Sequence, residues 1–280
     1  MQAITGELKE KWDKSLRGIL SHFISICQEQ HLTYYLAYGS ALGALRHGGI
    51  IPWDDDIDVV MPRPDYNRLI DYCLSHPHEQ YRLLRPEDDV NYFVPFIKLI
   101  DSHTQLREHD RSRITIGIFL DIFPIDGGPD NKEEYQQLKT SLVLRHYYMF
   151  HDASYNLGLA HACKMLMRGK VKFFLRALAI AVNRRWFRDH AYRKIHAMSE
   201  RFPYESSRYI CNWNLFAVIP EHIPRDVYGK GRTVQFEGIE VVVPSRCEEY
   251  LECVYGDWRQ PPPPSERGTN HLVSFIHFDD

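Results

Sequence analysis

"YGSALGALRHGGIIPWDDDIDVV", residues 38–60, decides how the rest of the chain is read. The Gly-Ser pair Gly39 and Ser40 stands near its start, an Ala/Leu-rich turn follows, Gly48 and Gly49 bend the chain, and four aspartates then fall within five residues. "DDDIDVV" reads as a loop entering a short apolar strand. On a strand, residues i and i+2 project from one face, so Asp56 and Asp58 are expected to converge on one divalent cation. Magnesium takes one or two protein carboxylates and leaves its other positions to water and phosphate oxygens. Glycine ahead of the acids lets backbone N–H groups approach a phosphate closely, and Ser40 sets a hydroxyl beside it. The pattern points to phosphoryl-type transfer on a metal. Asp-x-Asp is more often a solvated turn. Here, however, Ile50, Ile51, Pro52 and Trp53 precede the acids, and Val59, Val60 and Met61 follow them. Charge held at the mouth of a buried strand is costly unless a cation neutralises it.

Upstream, Leu8, Trp12, Leu16, Ile19, Leu20, Phe23, Ile26 and Cys27 recur at helical spacing, which predicts an amphipathic helix over 7–30. "LTYYLAYGS" reads as a strand that delivers Gly39 and Ser40 at its end. Downstream, "RPDYNRLIDYCLSHP" predicts a helix with Pro64 near its start, ending before Pro77. Strands are expected between 81 and 126. Lys98 interrupts the apolar "NYFVPFIKLID", as an edge lysine or one facing a phosphate. Asp121 interrupts "GIFLDIF", where an uncompensated charge is costly, and is the candidate third acid. Asp126 lies in the turn sequence "IDGGPD", where an aspartate serves local hydrogen bonding.

From 131 to about 153 the chain reads as helix, and 160–201 is strongly basic. Lys164, Arg168, Lys172 and Arg176 are spaced by four and are expected to share one helical face, as on a helix lying on an anionic membrane. A solvated accessory helix or a groove for an anionic polymer reads equally from the same residues. "TVQFEGIEVVVPS" predicts a hairpin turning at Glu237-Gly238, "SRCEEYLECVYGDW" a helix, and "RQPPPPSERGTNHLVSF" an extended tail.

A chain of 280 residues can bury one large core or two modest ones. Its net charge of −3 argues against nucleic acid as a partner. Six cysteines without a C-x-x-C pair read as reduced cytosolic thiols. The charged start lacks the apolar segment of a signal peptide, and no apolar run approaches the ~18 residues of a membrane span. The expected location is cytoplasmic, with a peripheral attachment to the inner membrane face as the extension of the basic segment.

"AYGSALGALRHGGIIPWDDDIDV" resembles the signature of the LicD family of phosphotransferases, relatives of fukutin within the wider DNA-polymerase-beta-like nucleotidyltransferase superfamily. The resemblance continues at "FIKLID", "GIFLDIFPID", "FEGIEVVVP" and "YGDWRQPPP" and is weak only between about 130 and 205. It implies an α/β (α+β) fold, a nucleotidyltransferase-like mixed sheet flanked by helices with a helical basic insertion. Three parts are expected: a catalytic core at 1–130, the helical basic segment at 131–205, and a C-terminal α/β part at 206–280 that completes the site. The implied reaction moves phosphorylcholine from CDP-choline to a hydroxyl of a cell-surface glycan, lipid-linked in one version, and releases CMP. Asp56, Asp58 and Asp121 would hold Mg²⁺, with Mn²⁺ as the alternative, and Asp121 would also orient the acceptor hydroxyl. Gly39, Ser40, Arg46 and Lys98 would attend the phosphates, Trp53 the choline, and Arg267 and His271 would be brought back by the tail. Ethanolamine, glycerol or ribitol phosphate donors, nucleotidyl transfer, and a non-catalytic glycan- or membrane-binding protein are the alternatives.

Overall fold

The computed structural model describes residues 4–89, 91–108, 114–142, 159–182, 184–214, 221–263, 267 and 273–279. Helix α1 (Glu7–Glu29) buries Trp12, Leu16, Ile19, Leu20, Phe23, Ile26 and Cys27, the stripe expected of its spacing. That stripe covers a mixed sheet. Its strands are β1 (Tyr35–Leu36), β2 (Asp58–Pro62), β3 (Tyr81–Leu84), β4 (Ile97–Asp101) and β6 (Phe119–Gly128), in the order β1-β2-β6-β4-β3. Strands β7 (Tyr209–Cys211) and β8 (Ile223–Pro224) extend it beyond the far end of β6. Among the described residues of this sheet, only β2 and β6 run parallel. Every position of β6 is buried, as befits a strand with neighbours along both edges and layers on both faces. Helix α3 (Arg63–Ser75) packs on β2 and β6, with Pro64 in its first turn. The mixed α+β architecture is the one expected.

Two local readings change. The strand before the Gly-Ser pair stops at Leu36, and Tyr38–Arg46 is a helix, α2, so Gly39 and Ser40 lie in its first turn rather than at the end of the strand. Tertiary packing decides this: Tyr38, Ser40, Ala41, Leu42, Gly43 and Ala44 are all buried, and a helix satisfies their backbone groups internally. Strand β2 begins at Asp58, so Asp56 precedes the strand instead of alternating along it. The basic face is also broken. Helix α5 (Leu159–Met167) and helix α6 (Val171–Val182) are separated at Gly169, whose φ of 73° ends the first helix. Lys164 and Lys172 therefore belong to different helices.

A helical run at 132–142 (α4), α7 (Arg184–Arg201) and β7 share a small cluster of Tyr135, Ile195, Cys211 and Trp213. Arg188 and Tyr192 of α7 also donate to the carbonyls of Asp89, Tyr92 and Val94. Toward the C-terminus, α8 (Arg225–Tyr228), the hairpin β9 (Arg232–Phe236) and β10 (Ile239–Val243), and α9 (Cys247–Tyr255) join the main core. The last strand, β11 (Phe275–Phe278), returns to pair with β5 (Thr104–Arg107). Among the described residues no helix is long and apolar enough to cross a membrane.

Candidate active site

Three adjacent strands set the centre of the site. Asp121 of β6 is the register partner of Asp58 on the parallel β2 and of Lys98 on the antiparallel β4. Directly opposed residues on neighbouring strands project from the same face. An acid, an acid and a lysine therefore stand in a row across the sheet. Lys98 Nζ lies 2.5 Å from Asp121 Oδ1, and the two residues are only 5% and 7% exposed. The ammonium also sits 3.3 Å from the centroid of the Phe119 ring. Asp126, five residues along β6, is held instead by both arms of the Arg63 guanidinium at 2.7 and 2.6 Å, so it serves the fold.

The loop ahead of β2 brings the remaining acids to this row. One carboxylate oxygen from each of Asp54, Asp55 and Asp56 lies within 4.8 Å of the others. Burial, then the charge of Asp56, pushes the Asp54 carboxyl up to about 8. Asp58 is raised as well, first by burial and then by Asp56, Asp121 and Asp54, with Lys98 opposing. The loop acids Asp54, Asp55 and Asp56 form the close carboxylate cluster, and Asp58 and Asp121 of the strands are coupled to it by charge. Its chemistry fits a hard divalent cation: the donors are all carboxylate oxygens, and a positive charge would relieve the repulsion that raises them.

Hydrogen bonds fix the backbone beneath these acids. Asp58 N–H donates to Ser40 Oγ at 2.8 Å, and Ala37 N–H donates to the Asp58 carbonyl at 2.9 Å, tying β2 to the start of α2. The Trp12 indole N–H donates to the Asp55 carbonyl at 2.8 Å, so α1 props the loop from below. Gly39 is needed for space, because a Cβ there would meet Asp54 Oδ2 at 2.6 Å. Gly39→Ala should therefore keep the melting temperature within a few degrees, since a flexible side chain yields cheaply, while turnover falls about tenfold or more as Asp54 leaves its place. A loss of melting temperature matching the loss of turnover would contradict this.

At the other end of α2 two guanidiniums meet. Arg46 and Arg267 lie 5.9 and 4.8 Å from the centroid of the Trp53 ring, and Arg46 Nη1 donates to the Trp258 carbonyl at 3.1 Å. Arg46 is lowered by burial and then by Arg267. Two cations held together over one ring make a place for an anion. His271, the other residue expected from the tail, lies outside the described residues. Tyr255, at the end of α9, is 45% exposed, and its phenol is raised by burial and then by the charges of Asp58, Asp54 and Asp56.

A buried polar cluster joins the site from residues the sequence did not single out. The Tyr38 hydroxyl donates to Glu221 Oε1 at 2.5 Å and accepts from Asn212 Nδ2 at 3.0 Å, and the Lys139 ammonium donates to the Asn212 carbonyl. Burial pushes Glu221 up to about 7, against the opposing charge of Lys139. Tyr38 opens α2, so the cluster holds the helix that carries Gly39 and Ser40. Nothing in "PEHIP" or "CNWN" marks these residues locally; only the fold brings them to Tyr38.

Residues 31–155 match the family described as LicD/FKTN/FKRP, nucleotidyltransferase domain. The chain is 26% identical over 263 residues to the lipopolysaccharide cholinephosphotransferase LicD of Haemophilus influenzae, covering 91% of this chain and 92% of that protein. A stretch of 56 residues is 38% identical to the human ribitol 5-phosphate transferase FKRP, 18% of this chain and 11% of that protein. A stretch of 58 residues is 34% identical to the uncharacterized protein RT0683 of Rickettsia typhi, 21% of this chain and 19% of that protein.

Proposed function

Taking as premise that the chain is a transferase carrying a LicD-family domain, we propose that it transfers phosphorylcholine from CDP-choline to a hydroxyl of a cell-surface glycan and releases CMP. The observation that carries the reading is the row Asp58, Asp121, Lys98 in register across β2, β6 and β4, with Asp54 and Asp56 at its mouth. Asp56, Asp58 and Asp121 would hold Mg²⁺, or Mn²⁺ in its place, and Asp54 would close the cluster. When bound, the cation supplies charge neutralisation to the diphosphate oxygens.

Asp121 orients the acceptor hydroxyl and takes its proton as the new oxygen–phosphorus bond forms. The phosphorus–oxygen bond to CMP breaks, and the leaving phosphate keeps the electron pair. Lys98 keeps Asp121 in place within the sheet. Arg46 and Arg267 would clamp the anionic CMP half, with Trp53 as the surface between them. Cations over Trp53 disfavour a quaternary ammonium there, so choline moves from that ring to the acidic side of the cleft, near Tyr255. Gly39 and Ser40 serve the same end by setting Asp54 and Asp58. Positioning and electrostatics suffice for such a transfer, and no nucleophilic dyad is required.

The likeness to a ribitol 5-phosphate transferase favours one second reading, ribitol phosphate from its CDP donor, on the same acids. CMP release from CDP-choline, CDP-ethanolamine, CDP-glycerol and CDP-ribitol, each with Mg²⁺ and a glycan extract, separates the readings. CDP-choline is expected to be consumed fastest, with activity removed by EDTA. Preference for CDP-ribitol would move the assignment to the second reading. Release of free phosphocholine, with CMP carried onto the acceptor, would overturn both in favour of nucleotidyl transfer.

A further inference from the structure

The helical hairpin of α5 and α6 lies outside the residues that match the family domain and takes no part in the site. Its two helices pack on each other through a tight turn at Arg168–Lys170, in which Gly169 adopts a φ of 73°. Every residue from 166 to 173 is exposed. Large apolar side chains are among them: Met167 is 81% exposed and Val171 50%, and Leu175 on the next turn is 57% exposed. Phe173 and Leu178 are exposed as well. Such side chains left in water forgo the stabilisation that burial would give them. So dense an apolar tip marks a surface that is covered in use.

Charge says by what. Lys164, Arg168, Lys170 and Lys172 are exposed around the same tip, and no aspartate or glutamate occurs between Asp152 and Asp189. Apolar and cationic side chains alternate there over a few residues, as "MLMRGKVKFFL" spells out. An apolar protein partner would leave these four cations facing a desolvated interface, each seeking an acid. A layer of anionic lipid headgroups above acyl chains meets both requirements at once: the apolar side chains enter the chain region, and the lysine and arginine stems reach back to the phosphates. Helices of 9 and 12 residues are too short to span a bilayer, which needs about 20. We propose that the α5–α6 hairpin tip docks the protein on an anionic membrane surface, lying in the headgroup region without crossing it. Its docking does not depend on the reaction assigned above.

Sedimentation of the full chain with vesicles tests this. Binding is expected to phosphatidylcholine vesicles containing 30% phosphatidylglycerol, to weaken with added salt, and to be at least tenfold lower on phosphatidylcholine alone. Phe173→Glu with Leu175→Glu should lower binding to the anionic vesicles tenfold or more, as should Lys170→Glu with Lys172→Glu. All four positions are exposed, so circular dichroism and melting temperature should stay at the wild-type values. Equal binding by wild type and both double variants would overturn the proposal, as would no binding to anionic vesicles. A concentration-dependent dimer of the wild type that Phe173→Glu with Leu175→Glu abolishes, with no vesicle binding by the wild-type monomer, would assign the tip to a second copy of the chain instead.

Discussion

Asp58→Asn is expected to abolish transfer while making the metal-free protein more stable. The carboxylate stands among Asp54, Asp56 and Asp121, and burial and these neighbours all raise it above its ordinary range. A raised carboxylate opposes folding once ionised: the folded form holds a proton that the unfolded form releases, so stability falls as pH rises through the interval between the two. Asparagine removes that penalty and keeps the shape. In EDTA near neutral pH the variant should therefore melt above wild type. Turnover should fall by roughly 10³-fold or more, equivalent to about 4 kcal/mol of barrier. Addition of Mg²⁺ should raise the melting temperature of wild type and leave that of the variant nearly unmoved. Scanning calorimetry with and without Mg²⁺, beside a CMP-release assay, reads all three. A variant that is less stable in EDTA, or still stabilised by Mg²⁺, would remove Asp58 from the cation site.

Lys98→Met should cost about 3–5 kcal/mol of stability, a large share of the 5–15 kcal/mol that holds a domain folded. The reason is Asp121, which is 7% exposed and would lose the ammonium 2.5 Å away. Methionine matches the lysine stem, so the loss is electrostatic rather than a cavity. The double variant Lys98→Met with Asp121→Asn should recover most of that stability and no activity, because both charges are then gone from the sheet. Mg²⁺ should restore part of the single variant's stability by neutralising Asp121 from the loop side. Urea denaturation of the four proteins forms the cycle, and additive effects of the two substitutions would mean that the pair is not coupled.

The sequence disclosed the acids of "DDDIDVV" and Asp121 because charge inside an apolar run is a local signal with a local cost. The same logic picked out Lys98, although the register that sets it against Asp121 became visible only in the sheet. Where the reading failed, distant contacts had overruled local pattern. "YLAYGS" alternates like a strand, yet burial against α9 and β9 makes its second half helical. Arg46 and Arg267 were each legible as cations, but their meeting over Trp53 closes more than two hundred residues of chain. Asp54 is one more acid of "DDDIDVV" in the sequence, and its approach to Gly39 and its raised carboxyl set it apart in the fold. Glu221 carried no local mark, since its partners come from α2 and α4.

The bond from Trp12 to the Asp55 carbonyl bears on what counts as a unit in this protein. The matching domain begins at residue 31, yet α1, which supports the acid loop, ends at Glu29. Glu221, at the opposite end of the chain, holds the start of α2, and Arg267 joins Arg46 over Trp53. The acidic motif is thus not a portable cassette: grafted alone onto another scaffold, it would arrive without the beam beneath it or the wall in front. Heredity can be traced through a short segment, whereas the working machine is delimited by its closure in space.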